Sequence, residues 1–437
     1  MNLQLADQLN ALDAAEWDRL AANAGLFMQR QWLTALHDSG CATAATGWQP
    51  LPIWSEQHGQ LQGLAPAWLK SHSRGEYVFD WAWAEAWQRA GLDYYPKLLL
   101  ASPFTPVTGQ RLLGQGEARA ALIGGLQQVV ADYQLSSAHV LFPAAEELEL
   151  LQQAGWLVRH GVQFHWQNQG YADFDAFLAA LSQSKRKKIR QERRKVRDAG
   201  ISIQVLRGAE ITDQHWQFFE RCYRQTYLEH RSPPYLNLDF FRMAGRLLPS
   251  HCVLFIASRG DQPIAASWCL QDGSTLYGRY WGALESVDCL HFELCYYSGI
   301  EYAIQHGLQC FEGGAQGEHK LARGFTPVIT HSAHWIAHPQ FRRAITDWLA
   351  RERAAIGDYH TTLFCMTLTK SLAQPLKGLY TAQPLRPKRS KHSLSSHLER
   401  WMSGLSRTPG KRVQGNTLTG VRIPPSPPNT PKVLFLQ

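Results

Sequence analysis

The sequence lacks several features that would define its class at once. Its eight cysteines form no C-x-x-C pair and no regular framework, which argues against a zinc ribbon, a redox motif and a disulfide scaffold. Scattered thiols are typical of a reducing compartment. The first ten residues show neither the charged region nor the apolar stretch of a secretion signal. No run approaches the about 18–20 apolar residues of a membrane span. We therefore expect a cytoplasmic protein without a transmembrane segment.

Acidic residues are nearly absent from the end of the chain. Residues 360–437 contain 12 Lys and Arg and a single acid, Glu399, for a net charge of +11. Residues 1–359 hold 32 basic and 35 acidic residues, so the overall charge of +8 belongs to the tail and not to the body. Since DNA-binding proteins normally carry their positive charge on a folded surface, we exclude DNA as a partner.

The tail also lacks sustained periodicity and contains nine prolines. We predict that residues 359–437 are a disordered, Pro-rich and basic segment. Its ending, R-V-Q-G-N-T-L-T-G-V-R-I-P-P-S-P-P, resembles the translation of a non-coding stretch. Our hypothesis is that it replaced a native C-terminus.

The remaining chain has a similar order of patterns in two halves. Two alternating strands on either side of a turn at Gln57-His58-Gly59 occupy residues 48–70, and another apolar strand follows at 97–103. A helix, a buried strand, a short helix and a last strand then occupy residues 117–133, 137–143, 146–155 and 157–166. A three-strand meander, a helix and two strands occupy residues 251–282, 291–307, 308–314 and 330–337. This order predicts two related α/β (α+β) domains, 1–167 and 168–358, followed by the tail 359–437.

Short blocks spread over residues 1–358 carry a resemblance to a known family. They include G-E-Y-V-F-D (75–80), P-F-T-P-V-T-G-Q-R-L-L (103–113), L-Y-G-R-Y-W-G (276–282) and F-E-G-G-A-Q-G-E-H-K-L-A-R-G-F (311–325). The chain resembles the bacterial FemAB-like proteins of peptidoglycan biosynthesis and recognition, within the GNAT acyltransferase superfamily. The resemblance implies two GNAT-like domains, each a mixed, largely antiparallel twisted sheet flanked by helices. It also implies that the donor is an acyl-CoA or an aminoacyl-tRNA.

The glycine-rich block 311–325 is the richest in chemistry, and it leaves a strand at Cys310–Glu312 and enters a glycine-rich loop. Acyl transfer to an amine needs a base and a group that stabilises the oxyanion. The candidate catalytic bases of the block are Glu312, Glu318 and His319. Its candidate substrate-binding residues are Gln316, Lys320 and Arg323. The alternative is a polar loop whose glycines serve turns.

Two further segments hold candidate substrate-binding residues. Strand alternation predicts Tyr277, Arg279 and Trp281 on one face, with Tyr280 opposite, where a cation among aromatic rings can bind an anion and stack a planar group. His291 and Glu293 open the next helix, whose N-terminus favours anions. Each of these residues could instead serve packing or capping. We expect no metal, because neither His291 with Glu293 nor Glu318 with His319 forms a ligand set.

The segment R-L-L-G-Q-G (111–116) matches the pyrophosphate loop that GNAT enzymes use for CoA. It makes Arg111, Gly114 and Gly116 candidate cofactor-binding residues. The equivalent loop of the second half, residues 284–290, has no such glycines, which argues against acetyl-CoA.

Residues 184–197 contain nine basic residues and one acid. We predict a helix over 184–199, with Ser184 as N-cap and Gly200 beyond its end. Its apolar line is chiefly Ile189 and Val196, which are seven residues apart and therefore on one face. Its candidate anion-binding residues, for substrate phosphates or a tRNA backbone, are Lys185, Arg186, Lys187, Arg190 and Arg194. The alternative is a solvated helix face.

Together these observations favour a cytoplasmic transferase that moves an acyl or aminoacyl group onto an amine of an anionic acceptor, such as a wall precursor. One alternative is a CoA-dependent N-acetyltransferase of a small amine. The other is a non-catalytic module that binds a wall precursor or RNA.

Overall fold

The structure, a computed structural model, describes residues 2–314, 317–367 and 433–436. The strands of the first half are β1 (Asn2–Ala6), β2 (Trp48–Gln57), β3 (Gln60–Lys70), β4 (Lys97–Leu100), β5 (Leu113–Gly114), β6 (Ser137–Leu141) and β7 (Leu157–Gln167). Its helices are α1 (Ala14–Ala21), α2 (Arg30–Asp38), α3 (Trp81–Arg89), α4 (Glu117–Asp132) and α5 (Ala145–Gln153).

The second half begins with two helices and ends with a long one. Its helices are α6 (Phe174–Ala180), α7 (Gln183–Asp198), α8 (Asp213–Glu229), α9 (Leu238–Leu247), α10 (Leu290–Phe292), α11 (Ser298–Gln305) and α12 (Pro339–Thr367). Its strands are β8 (Ile201–Arg207), β9 (Cys252–Arg259), β10 (Gln262–Asp272), β11 (Thr275–Ala283), β12 (Cys310–Glu312), β13 (Thr326–Ile336) and β14 (Val433–Leu436).

The hairpin β2–β3 shows how local sequence sets the fold. His58 and Gly59 both have positive φ, 52° and 75°, as the two central residues of a type I′ turn require. The flanking residues Gln57 and Gln60 pair directly. The predicted turn at this position is therefore confirmed.

The described strands form one sheet, in the order β14-β1-β2-β3-β4-β6-β13-β7-β12-β11-β10-β9-β8, with β5 beside β3. Each half has an antiparallel meander that passes through helix into a parallel neighbour, β6 beside β4 and β12 beside β11. The last strands of the halves are exchanged, since β7 pairs with β12, and β13 pairs with β6. The predicted mixed, largely antiparallel sheet flanked by helices is confirmed, and the exchange makes it continuous.

This continuity bears on the predicted boundary at 167/168. The boundary falls directly after β7, which is hydrogen-bonded on both sides to strands of the second half. The described residues up to 367 belong to one compact unit. The division into two domains stays a prediction.

The structure differs from the predicted tail at its start. Helix α12 continues to Thr367, because Leu363 is buried in the core of the second half and a ring nitrogen of His360 lies 3.2 Å from the carbonyl of Pro327. Strand β14 pairs with β1. The rest of the predicted tail, and the hypothesis about its origin, lie outside the described residues. Among the described helices, none combines the length and the apolar character of a membrane span.

The two faces of β11 are covered by different parts of the chain. On one face, Phe27 of the first half packs edge-on against Tyr277, with ring centroids 5.0 Å apart. On the other face, Phe311 lies under the helical segment, so close to Gly299 that an added β-carbon would be 2.6 Å from its ring. The first half therefore closes one face of the strand pair β11–β12, and α11 closes the other.

The segment between β11 and β12, predicted as one helix over 291–307, contains a π-helical turn. Residues Glu293–Tyr297 form this turn between α10 and α11. A single π turn inside an α-helix often occurs at a functional site. The candidate residue Glu293 begins this turn, and the candidate residue His291 lies two residues before it.

Candidate active site

The parallel strands β11 and β12 separate after a short shared stretch, and Glu312 lies where they part. Their register pairs Tyr277 with Glu312, and β12 ends there. On the other side, β7 places His165 opposite Glu312. The Glu312 side chain is 14% exposed, and its carboxylate lies 3.9 Å from Nε2 of His165.

The surroundings of Glu312 shift its titration. Burial raises the pKa of the Glu312 carboxyl to about 7, although the positive charge of Arg279 acts in the opposite direction. A carboxyl group with a pKa near 7 can accept and release a proton at neutral pH. Glu312 therefore has the properties of a general base.

The neighbours of Glu312 form a hydrogen-bonded chain that begins in the first half. The side-chain amide of Gln163 donates to the carbonyl of Pro106 at 2.7 Å, and its oxygen lies 3.2 Å from Nε2 of His165. Burial lowers the pKa of His165 to about 4, and the charge of Lys320 acts in the same direction. The imidazole is therefore neutral near pH 7.

A β-bulge in β11 overturns the predicted alternation. Trp268 pairs with Tyr280, but the next residue of β10 pairs with Gly278, so Arg279 is an extra residue. An extra residue re-aims the side chains beyond it. Tyr280 therefore faces the first half with Arg279, and its hydroxyl donates to the carbonyl of Phe104 at 3.1 Å. Trp281, predicted on the face of Arg279, packs on His291 instead, with centroids 4.7 Å apart.

Arg279 connects the site to the first half. Its guanidinium donates to the carbonyl of Phe104 and lies 3.4 Å from the hydroxyl of Thr105. It also lies over the ring of Phe27 at 5.6 Å. Phe104 has a φ of 57°, and such strain in a residue other than glycine is concentrated at functional sites. The loop of residues 103–107 therefore forms one wall of the site around Glu312.

The loop after β12 is held by Lys320. The Lys320 side chain is buried and donates to the carbonyl of Gly314 at 2.7 Å. Burial lowers the pKa of Lys320 to about 7, while the neighbouring Cys295 acts in the opposite direction. Gly314 has a φ of 87°, which favours glycine there. Gln316, the remaining candidate of this loop, lies outside the described residues.

His319 and His291 belong to an aromatic cluster on the helix-covered side of the sheet. Nε2 of His319 lies 2.9 Å from the hydroxyl of Tyr296, and the two imidazole centroids are 6.4 Å apart. Burial lowers the pKa of both histidines, that of His291 to about 4. Since Glu312 faces the first half, this cluster is separate from the Glu312 site.

Glu318 is exposed and accepts a hydrogen bond from the hydroxyl of Tyr359 on α12 at 2.5 Å. This contact ties the loop to α12 and occupies the carboxylate with a partner outside the Glu312 site. We leave Glu318 out of the proposed catalytic set.

Two candidate residues are engaged in buried ion pairs with α7. Arg323 binds the carboxylate of Glu192 at 2.9 Å, and its guanidinium lies 3.5 Å from the ring centroid of Phe292. Glu293 binds Arg193 at 3.0 Å, and burial raises the pKa of Glu293 against the effect of that arginine. These pairs fix α7 against the segment after β12 through Arg323 and against the π-helical turn through Glu293, so we assign both residues a structural role.

The N-cap of helix α7 is Ser182, two residues earlier than the predicted Ser184. Its hydroxyl accepts a hydrogen bond from the backbone N–H of Lys185. Ile189 and Val196 are buried as predicted. Among the candidate anion-binding residues, Lys187 and Arg194 are exposed. Arg186 donates to the carbonyl of Ala179, and Arg190 pairs with Asp175 at an exposed position. Burial lowers the pKa of Lys185.

The candidate cofactor loop lies between β5 and α4 in the first half, with Gly114 at the end of β5 and Gly116 preceding the helix. Arg111, however, is 1% exposed. Its guanidinium donates to three backbone carbonyls, those of Val107, Gln110 and Leu141. Burial lowers the pKa of Arg111 to about 10. A guanidinium committed to the interior is not placed to bind pyrophosphate, and we leave this loop out of the proposed site.

One set of residues could hold a metal by composition. A ligand atom from each of His165, Cys310 and Glu312 lies within 4.8 Å of the others. Burial raises the pKa of the Cys310 thiol to about 12, so metal binding would have to displace that proton. The expectation of no metal stays a prediction.

The sequence reasoning missed His165 and Gln163. Both are buried, at 8% and 5% exposure, on the same side of β7. The signal was present in V-Q-F-H-W (162–166), where polar residues alternate with large apolar ones. Polar side chains at alternate positions of a strand buried on both faces need partners.

Comparison with known proteins adds the family. The profile of the FemAB-like family, described as peptidoglycan biosynthesis/recognition, matches residues 8–367. No curated protein matches the chain.

Solved structures of low identity are also similar to the chain. FemX shares 12% identity, with 77% of this chain and 98% of that chain covered and a TM-score of 0.46. For L-PGS from Bacillus licheniformis the identity is 8%, the coverage 74% and 96%, and the TM-score 0.46. A tandem GNAT protein from the clavulanic acid biosynthesis pathway shares 11% identity, with coverage of 77% and 99% and a TM-score of 0.41. Likeness at this level carries no conclusion about substrate.

Proposed function

The chain belongs to the FemAB-like family of peptidoglycan biosynthesis and recognition, and from this premise we propose that it is a transferase that moves an acyl or aminoacyl group onto an amine of a wall precursor. The observation that carries the proposal is Glu312. Its carboxyl lies where two parallel strands separate, with a pKa raised to about 7 by burial. An amine acceptor needs a base of this strength at neutral pH.

Glu312 acts in two proton transfers. An amine reaches the site as its ammonium ion, and the Glu312 carboxylate accepts one proton from it. The free amine attacks the carbonyl carbon of the donor's ester or thioester and forms a tetrahedral oxyanion. As this intermediate collapses, the bond to the donor's oxygen or sulfur breaks, and the Glu312 carboxylic acid gives its proton to that leaving atom. The amide nitrogen releases its surplus proton to water.

Two cations supply positive charge to this reaction. Arg279 lowers the pKa of Glu312, and Lys320 lowers that of His165. Both are fixed by backbone carbonyls, those of Phe104 and Gly314. Fixed positive charge in a poorly hydrated site stabilises a developing oxyanion without reorganisation. We assign this role to Arg279, and to Lys320 in its protonated form, since its pKa is about 7.

We propose an aminoacyl-tRNA as the donor. Helix α7 exposes Lys187 and Arg194, which are seven residues apart and therefore on one face. Its ion pairs through Glu192 and Arg193 hold the other side of the helix against Arg323 and Glu293, so the face with Lys187 and Arg194 points outward. A row of cations that tracks a nucleic-acid backbone suits a tRNA better than a small thioester. An acyl-CoA donor is the alternative, and the interior position of Arg111 speaks against it.

The test is a donor panel with the full chain. The protein is incubated with a peptidoglycan precursor that carries a free amine, and with labelled aminoacyl-tRNAs or labelled acyl-CoAs in parallel. We expect labelled precursor from one or more aminoacyl-tRNAs and none from acyl-CoA. Tight binding of the precursor without transfer from any donor would favour the second candidate, a recognition module. Transfer from acyl-CoA alone would overturn the assignment of the donor.

A further inference from the structure

The hydrogen-bonded chain from Pro106 to Glu312 determines a proton position. The carbonyl of Pro106 can only accept, so the nitrogen of the Gln163 amide must face it, as the 2.7 Å contact shows. The oxygen of that amide is then the atom that lies 3.2 Å from Nε2 of His165. An amide oxygen also only accepts. In the neutral imidazole, Nε2 must therefore carry the hydrogen.

The same nitrogen faces the candidate base. Nε2 of His165 lies 3.9 Å from the carboxylate of Glu312, and the pairing of β7 with β12 fixes the two residues opposite one another. Gln163 and His165 are both buried, so water does not compete for these groups. An Nε2–H in this position presents a positive dipole to the carboxylate.

We propose that Gln163 is a positioning residue that holds His165 in its Nε2–H tautomer, so that the imidazole supports the ionised form of Glu312. The proposal rests on the assignment of Glu312 as the base, but the tautomer itself does not depend on turnover. Since Pro106 belongs to the loop 103–107, the first half of the chain sets the protonation of a site on the second half. The second-half site is incomplete without that loop.

The charged and titratable groups around Glu312 come from every packed element. Arg279 and Tyr277 face it from β11, Cys310 lies two residues away on β12, and Lys320 acts on His165 from the loop beyond. Because burial holds the pKa of His165 at about 4, the imidazole does not change its charge in the neutral range. The acid limb of the pH–rate profile near neutrality would then report Glu312, while loss of the Lys320 proton, whose pKa is also about 7, would form the basic limb.

The direct experiment is nitrogen NMR of the full chain labelled only at histidine. The His165→Gln variant identifies the His165 signals by their loss. We expect the shift pattern of the Nε2–H tautomer in the native chain. In the Gln163→Met variant, which has similar volume but no hydrogen-bonding groups, we expect both tautomers. The Gln163→Glu variant keeps an acceptor towards His165 and should retain the hydrogen on Nε2.

The second readout is the pH dependence of kcat/KM. Loss of a fixed N–H beside a carboxylate raises its pKa by an amount on the order of half to one unit at this distance. The acid limb of the profile should move upward by that amount in the Gln163→Met variant. A purely structural role of Gln163 would lower the rate without moving the limb.

Two outcomes would overturn the proposal. One is an Nδ1–H tautomer in the native chain. The other is a Gln163→Met variant with an unchanged tautomer and an unchanged acid limb. A native chain without transfer activity would refute the proposed function alone, since the NMR result stands by itself.

Discussion

Lys97 is the buried charge in the first half whose removal we expect to be most destabilising. Its ammonium is fully buried on β4. It donates to the hydroxyl of Ser73 and the carboxylate of Glu76 at 2.8 Å each, and also to Asp80. Burial alone would lower the pKa of Lys97, but Asp80 and Glu76 raise it above the usual value. The cation is therefore charged and neutralises two buried carboxylates.

The Lys97→Met variant keeps the length of the side chain and removes its charge. Breaking a buried ion pair by removing one partner costs about 3–5 kcal/mol, and we expect a loss of unfolding free energy in that range at about pH 7. Burial already raises the pKa of Glu76 to about 7. Without Lys97, Glu76 and Asp80 are protonated more readily in the folded state, so the loss should shrink as the pH falls towards about 5.

The assay is urea unfolding followed by tryptophan fluorescence, at both pH values. Lys70→Met is the matched control, because Lys70 is equally buried and pairs with Lys97 across β3 and β4. Burial lowers the pKa of Lys70 to about 7, and its ammonium contacts no carboxylate among the described residues: it donates to the carbonyl of Arg74 at 3.4 Å and lies 3.6 Å from the ring centroid of Trp48. We expect the Lys70→Met variant to lose less than half as much unfolding free energy as the Lys97→Met variant. A Lys97→Met loss below about 1 kcal/mol, or one that does not change with pH, would refute the reasoning.

Two further predictions concern the proposed tRNA-binding face of α7 and the buried contact between His139 and His334. Charge reversal at Lys187 and Arg194 should weaken tRNA binding about tenfold or more and reduce the slope of log affinity against log salt by about two. Filter binding measures both quantities, and charge reversal at the exposed Arg343 on α12 is the control. An unchanged affinity for tRNA would exclude α7 from the interface. The Nδ1 atoms of His139 and His334 lie 2.6 Å apart, and burial lowers the pKa of both, that of His139 to about 3. Their contribution to stability is present above the unfolded pKa of about 6.5 and is lost as the pH falls below it, by up to about 1.4 kcal/mol per pH unit for each histidine. In urea unfolding experiments, the unfolding free energy of the His334→Gln variant should decrease less steeply than that of the native chain below about pH 6.5. An equally steep decrease would show that His334 does not contribute to this loss of stability.

Local patterns predicted the elements well because their causes are local. The turn at Gly59, the end of α7 before Gly200 and the burial of Ile189 and Val196 follow from φ preferences and periodicity. The position of Glu312 at the end of β12 also followed from the change from an apolar strand to a glycine-rich loop.

Other features could not be predicted because they depend on pairing between distant segments. The bulge at Arg279 appears only in the register of β11 against β10, so simple alternation placed Tyr280 and Trp281 on the wrong faces. The exchange of β7 and β13 sets His165 beside Glu312, although 147 residues separate them in the chain.

Charged residues show the same limit. Arg323 and Glu293 lie in functional-looking blocks, yet each finds a buried partner on α7. The basic character of that helix suggested an anion site, but composition does not reveal which of its charges are already neutralised. Lys187 and Arg194 remain exposed because they lie on the side opposite Ile189.

The measurement that tests the central claim most directly is transfer by the Glu312→Gln variant. The variant keeps the shape of the side chain and cannot accept a proton from the amine. We expect the rate of labelled aminoacyl transfer to a wall precursor to fall about 10²- to 10⁴-fold, with the melting temperature and the affinity for the precursor retained. Glu318→Gln, at the exposed carboxylate of the same loop, should keep the native rate. A Glu312→Gln variant that transfers at the native rate would show that Glu312 is not the base.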